Sequence, residues 1–376
     1  MEKTNEILLV EDRENVRDKI TSSIKSVEAS QVVHTITSEN VDDFTISDSK
    51  SLELCIAECL REDFRNVGLI IVDHDLSQLG SGLSESAITA AAHSLAIPIC
   101  RYHRRVGNRS MLEHLWELNS RVYAIDYIGQ FDFEEDEPKF PRFVLNILKG
   151  FNEIASRLSG LPSEVKKLGV AAAMATILDR PELEDYFSAY AIGVSFLNDI
   201  LIIQKALREH NISSDPDAPE EQVNKRTAYI LGYWLYNFVL QFPGVLLNDT
   251  ATASYVDIEP GEFNTNESIR DCLSEAKYDG PFSSYDNYWW RPVIDDLLIE
   301  NGNRNELLAS CGLDAHAIAR CKCSVSDSPP AGYYDLSSGE PISKEYSIGG
   351  LSWVPPGADL TRINKERYDE LEPILG

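Results

Sequence analysis

Ile7-Leu8-Leu9-Val10-Glu11-Asp12 is an unbroken apolar run that ends in two acids, and Leu69-Ile70-Ile71-Val72-Asp73 repeats that form downstream. Short apolar runs of this kind fit strands buried on both faces, as in a parallel sheet. Outward from them, helical and extended patterns alternate. Arg13 to Val27 carries Val16, Ile20, Ile24 and Val27 at helical spacing, Val32-Val33-His34-Thr35-Ile36 is β-branched, and Ser51 to Phe64 returns to helical spacing. Gly82 to Leu95 is Ala-rich, Ile97-Pro98-Ile99-Cys100 opens another strand, Met111 to Leu118 predicts a short helix, and Val122 to Ile128 a fifth strand. This alternation predicts an α/β fold over residues 1–135, a doubly wound, five-stranded parallel sheet.

In such sheets ligands bind beyond the carboxyl ends of the strands, so the acids there carry the chemistry. Glu11 and Asp12 follow the first strand and Asp73 directly follows the third. Carboxylates converging on one edge make a hard-oxygen site suited to Mg²⁺. They also leave one carboxylate able to act as a nucleophile toward phosphorus.

With Leu76 after Asp73, then Ile97-Pro98-Ile99 and Ala124-Ile125-Asp126-Tyr127-Ile128, the order and spacing of these runs over residues 5–130 resemble the receiver domain of two-component response regulators. The resemblance implies a flavodoxin-like fold, Mg²⁺ held by Glu11, Asp12, Asp73 and the Asp75 carbonyl, and Asp73 as phosphoacceptor. It further implies cytoplasmic phosphorelay signalling with a histidine kinase or another receiver protein as partner. The pattern departs from the family at two switch positions. His103 stands where the family has Ser or Thr, and Gln130 where it has Lys. An amide does not supply the charge that stabilises an aspartyl phosphate. A working switch would need Arg101, Arg104 or Arg105 as a substitute; without one, the domain is a pseudo-receiver that docks a partner.

Arg101, Arg104, Arg105 and Arg109 are the dense basic cluster of a 376-residue chain with 34 Lys+Arg against 61 Asp+Glu and a formal net charge of −27. The cluster reads as a solvated loop or as a docking patch for an acidic partner or a phosphate. The overall charge argues against a broad grip on nucleic acid or anionic membrane.

Residues 140–245 read as a helical connector segment. Val144, Leu148, Phe151, Ala155 and Leu158 form one stripe, and a long helix from Pro181 to about His210 carries Leu183, Phe187, Tyr190, Val194, Leu197 and Leu201 as another. These stripes suit a homodimer seam or the core of a bundle. Ala228 to Leu247 is uncharged and long enough to span a bilayer. Yet Lys225, Tyr229, Tyr233, Asn237 and Gln241 align on one helix face, and Pro243-Gly244 interrupts the run, so a soluble helix is expected.

Residues 246–376 read as an irregular α+β module, with helices predicted over 266–277, 288–300 and 362–371. Cys311, His316, Cys321 and Cys323 are either a compact zinc site or ordinary thiols. Seven cysteines, odd in number and unevenly spread, argue against a disulfide framework and fit a reducing cytoplasm. No signal-peptide pattern fits the start. Tyr285, Tyr288, Trp289 and Trp290 with Arg291 suit core packing or a binding surface. The function expected is thus signalling, with a receiver-like domain coupled to a protein-interaction module. The second reading is an enzyme, metal-dependent or not, with its active site in the C-terminal half under receiver control. No catalytic motif stands there; a pocket lined by Asp257, Asp286, Asp295 or His316 would favour it.

Overall fold

The apolar runs form the strands expected of them. In the computed structural model, β1 (Glu6–Val10), β2 (Val33–Ile36), β3 (Val67–Asp73), β4 (Ile99–Tyr102) and β5 (Ile125–Tyr127) make one parallel sheet of order β2-β1-β3-β4-β5. This is receiver-like in topology. The structure describes residues 5–36, 51–74, 76, 83–102, 123–127, 139–161, 169–198, 218–326 and 330–369, with 218–220 by backbone alone. The expected helix at Met111 to Leu118 lies outside them.

The chain divides into two compact units. The first holds the sheet, α1 (Glu14–Val27), α2 (Leu52–Glu62), α3 (Glu85–Leu95), α4 (Lys139–Gly160) and most of a later helix. Side chains alternate across a strand, so each wholly apolar run must be covered on both sides. Leu8, Val10, Ile70, Val72 and Ile99 share a core with Ile56 and Leu60 of α2 and Ile88 and Ala91 of α3. Ile7, Leu9, Leu69 and Ile71, of opposite parity, are equally buried, and α4 packs against β3 and α1. At the strand ends Tyr102 and Tyr127 meet the ring of Phe140 at 5.4 and 5.0 Å.

The segment read as one connector does not stay together. Lys139–Gly160 belongs to the first unit, and residues 169–194 to the second. The long helix expected from Pro181 is broken: a 3-10 turn, Pro181–Leu183, leads into α6 (Glu184–Ala191), which follows α5 (Val170–Ile177) in the chain. The chain then turns through Gly193 at φ +80° and enters another 3-10 turn, Ser195–Leu197. Only glycine takes that backbone without strain. Leu183, Phe187, Tyr190 and Leu197 therefore do not lie on one helix, and each is buried within the chain; Leu201 lies outside the described residues. Val144, Leu148, Phe151 and Leu158 are likewise buried.

The uncharged run begins in α7 (Ala218–Trp234), continues as a π-helical turn, Leu235–Leu240, and stops before Pro243. Gly244 is required there. A Cβ would collide with the Gly357 carbonyl oxygen and the Tyr190 hydroxyl. Among the described residues no helix is long and apolar enough to cross a membrane. Within the first unit, the Tyr233 hydroxyl accepts the Ile99 backbone N–H at 2.8 Å, and Tyr229 meets His93 at 3.2 Å.

The second unit contains β6 (Leu246–Asn248) antiparallel to β7 (Tyr288–Trp290), and a four-stranded sheet of order β10-β11-β8-β9. That sheet is built from β8 (Tyr333–Asp335), β9 (Glu340–Ile342), β10 (Ser347–Ile348) and β11 (Thr361–Asn364). Two expected helices are thus corrected. Tyr288, Trp289 and Trp290 are strand, with the helix starting at Arg291, and Thr361–Asn364 is strand where a helix was expected from Arg362. In both places aromatic or β-branched residues pair with a neighbouring strand, which local periodicity does not register. Tyr288, Trp289 and Trp290 are buried as core. Asp335, wholly buried, accepts the Ser337 N–H, the Ser337 and Ser338 hydroxyls and the Asn364 N–H, tying the β8–β9 turn to β11.

Candidate functional site

Parallel register sets the site. Val10 pairs with Val72 and Asp73 with Tyr102, so Glu11, Asp73 and Tyr102 end level on neighbouring strands. One carboxylate oxygen from each of Glu11, Asp12 and Asp73 lies within 4.8 Å of the others. Glu11 and Asp73 are buried, and Asp12 is half-buried. The acid cluster expected from the sequence is thereby assembled.

Glu11 is held from two sides. Its Oε1 accepts the backbone N–H of Arg13 at 2.8 Å, and its Oε2 accepts the hydroxyl of Tyr102. Burial, then the nearby Asp73 and Asp12 charges, push the Tyr102 hydroxyl far above its ordinary pKa, so it stays a donor. The sequence reading missed Tyr102. Its signal was its place immediately before His103, at the carboxyl end of the fourth strand.

These residues fit a hard divalent cation. Ions such as Mg²⁺ take oxygen ligands at about 2.0–2.1 Å, usually one or two carboxylates with waters completing the shell. Glu11, Asp12 and Asp73 are the residues that would hold it. Its charge would relieve the mutual repulsion of the carboxylates. Asp75, expected to add a carbonyl, lies outside the described residues.

The one described arginine of the basic cluster is engaged elsewhere. Arg101 pairs in register with Val72 and Asp126, so its side chain leaves the sheet on the face opposite Asp73. There its Nε and Nη2 bond Asp126 at 2.6 and 2.8 Å, and its Nη1 reaches Glu85 at 3.1 Å. Glu85 also bonds His74 Nδ1 at 2.9 Å. Burial opposes the Arg101 charge, but Asp126 and Glu85 outweigh it and hold the guanidinium above its ordinary pKa. His103, Arg104, Arg105, Arg109 and Gln130 lie outside the described residues.

The zinc constellation is not assembled. Cys311 is joined to Cys272 by a disulfide across a sequence separation of 39, so its sulfur is not a thiolate ligand. Cys321 and Cys323 are buried free thiols, and His316 is exposed. Among the described residues, Glu11, Asp12 and Asp73 are the only such group placed to share an ion. The disulfide also corrects the expectation of free cysteines: Cys272 and Cys311 are distant in sequence, and only folding brings them together.

Of the acids weighed for a C-terminal active site, Asp257 bonds Arg320 Nε at 2.6 Å and Asp295 accepts the Tyr255 hydroxyl. Asp286 lines a cavity together with Asp249. No family model, curated protein or solved structure matches this chain.

Proposed function

We propose that the first unit is a receiver-type signalling module, doubly wound in the flavodoxin manner. It binds a divalent cation through Glu11, Asp12 and Asp73 and docks a protein partner on that face. The observation that carries this reading is the meeting of the three carboxylates at the carboxyl edge of the parallel sheet. Asp73 is the phosphoacceptor position. Its carboxylate oxygen would attack the phosphorus of a donor, and the donor's leaving group would depart with the electrons of the broken bond, P–N in a phosphohistidine and P–O in acetyl phosphate. That step needs a cation facing the new charge, and Arg101 is turned to Asp126 and Glu85 on the other face. With Gln130 standing where the receiver family has Lys, the pseudo-receiver, a cation-loaded docking surface, is favoured over the phosphorylated switch.

The test uses the full chain. Mg²⁺ or Mn²⁺ is titrated while thermal stability and heat of binding are followed, and acetyl phosphate is then added with intact-mass detection. The cation should stabilise the protein, Asp73→Asn should abolish that response, and no phosphoryl group should be gained. A chain indifferent to both ions overturns the reading. Gain of one phosphoryl group, lost in Asp73→Asn, replaces the pseudo-receiver with a working switch whose partner is a histidine kinase or another receiver.

A further inference from the structure

The second unit contains a cavity of about 270 Å³, just below the range of roughly 300–1,000 Å³ typical of sites for drug-sized ligands. Its occupant is therefore small. Its wall is mostly polar, with Asp249 and Asp286 adding two carboxylates, and Leu240, Leu336 and the rings of Tyr288 and Tyr334 supply an apolar and aromatic part.

The two acids differ in setting. Asp249 is oriented by the Trp289 indole N–H at 2.8 Å and the Asn287 amide at 3.0 Å. Asp286 makes no hydrogen bond or ion pair among the described residues, and is open to solvent on its outer side. Desolvation, then the Asp249 charge, push its carboxyl up to about 6. Tyr288 supplies a separate observation. It is 3 % exposed and lines the cavity, and its hydroxyl has no hydrogen-bond partner among the described residues. A hydroxyl on a side chain so far inside the fold, with no protein partner, offers its oxygen to a polar ligand atom in the cavity.

From this arrangement we infer that the cavity binds a small primary ammonium group, its three N–H donors shared among Asp249, Asp286 and the Tyr288 hydroxyl oxygen, with its alkyl stem against the leucines and tyrosine rings. An alkylammonium has three donors and no acceptor, which matches two carboxylates and one unpaired oxygen. The aromatic faces add attraction for a cation. A bare divalent ion would make no use of the leucines and tyrosine rings. The ammonium can come from a free amine or from a lysine side chain of a peptide; the chemistry is shared.

The experiment is calorimetric titration of the full chain at pH 7.5 with n-butylamine, with the peptide Gly-Lys-Gly, and with n-butanol as the uncharged control. Butylamine should bind and butanol should not, and Gly-Lys-Gly binding as well as butylamine assigns the source to a peptide side chain. Asp286→Asn should weaken butylamine by about tenfold or more, as loss of a charge-assisted hydrogen bond does. Tyr288→Phe should weaken it less, and affinity should fall as pH drops below 6. Asp286 holds no other side chain, so its variant folds normally, which circular dichroism checks. No heat with either amine up to about 10 mM, beyond the millimolar range of weak ligands, overturns the inference. So does equal binding of butanol, an Asp286→Asn variant of unchanged affinity, or Ca²⁺ binding that butylamine does not displace.

Discussion

Arg101 and Asp126 face each other across adjacent strands in a two-pronged ion pair, with side chains 3 % and 4 % exposed. Both lie level with Val72, so the pair sits on the face that carries α2 and α3, and the N-terminal Glu85 of α3 completes it. Breaking a buried pair strands a charge. Asp126→Ala is expected to cost about 3–5 kcal/mol in urea unfolding. Arg101→Lys should also destabilise, because a lysine does not reproduce the planar fork. An Arg101→Met, Asp126→Leu double variant should recover much of the loss. If Asp126→Ala unfolds at the wild-type midpoint, the pair contributes nothing.

Tyr102→Phe probes the other face. The variant removes the hydroxyl that donates to Glu11 Oε2, beside two other carboxylates. Without divalent cation it should be less stable by about 1.5–3 kcal/mol, as for a hydrogen bond to a charged group. Saturating Mg²⁺ should shrink that gap, because the ion takes over neutralisation of Glu11. Urea melts with and without Mg²⁺ measure both quantities; a gap that Mg²⁺ leaves unchanged separates Tyr102 from the cation site.

Asp286 predicts a pH signature of the second unit. Its carboxyl is raised from 3.8 to about 6 in the folded chain. The folded state therefore binds more protons than the unfolded state between those values, and stability falls as pH rises through that window. Asp286→Asn should be the more stable form at pH 7, with the difference vanishing below about pH 4. Since Asp286 is open to solvent on one side, the gain is screened to about 1 kcal/mol or less. Parallel stability curves across that range would contradict the raised value.

The Cys272–Cys311 disulfide closes a sequence separation of 39 in the second unit. Its reduction should lower stability by about 2–4 kcal/mol, chiefly by freeing the unfolded chain. Cys311→Ser should match the reduced wild type and no longer respond to reductant. A zinc chelator should leave the melting temperature of the oxidised chain unaltered, whereas a zinc site at Cys311 would require the opposite pattern.

The five-stranded sheet was legible in the sequence because its strands are locally coded. Ile7–Val10 and Leu69–Val72 are apolar at every position, and such runs are satisfied only between two covering layers. Acids placed directly after those runs are assigned to one edge by the sequence alone, since parallel strands end on the same side. Other features were not legible. Gly193 breaks a helix that a stripe of apolar residues seemed to continue, because spacing records periodicity but not where the backbone turns. Arg101 and Tyr102 are neighbours in sequence yet serve opposite faces, one bound to Asp126 and the other to Glu11, and the pairing register fixes which is which. Cys272 with Cys311, and Asp249 with Asp286, meet only after the second unit folds. Local composition determined the strands and the acids at their ends; long-range packing alone decided their partners, because hydrogen bonds and charge pairs depend on distances the chain order does not specify.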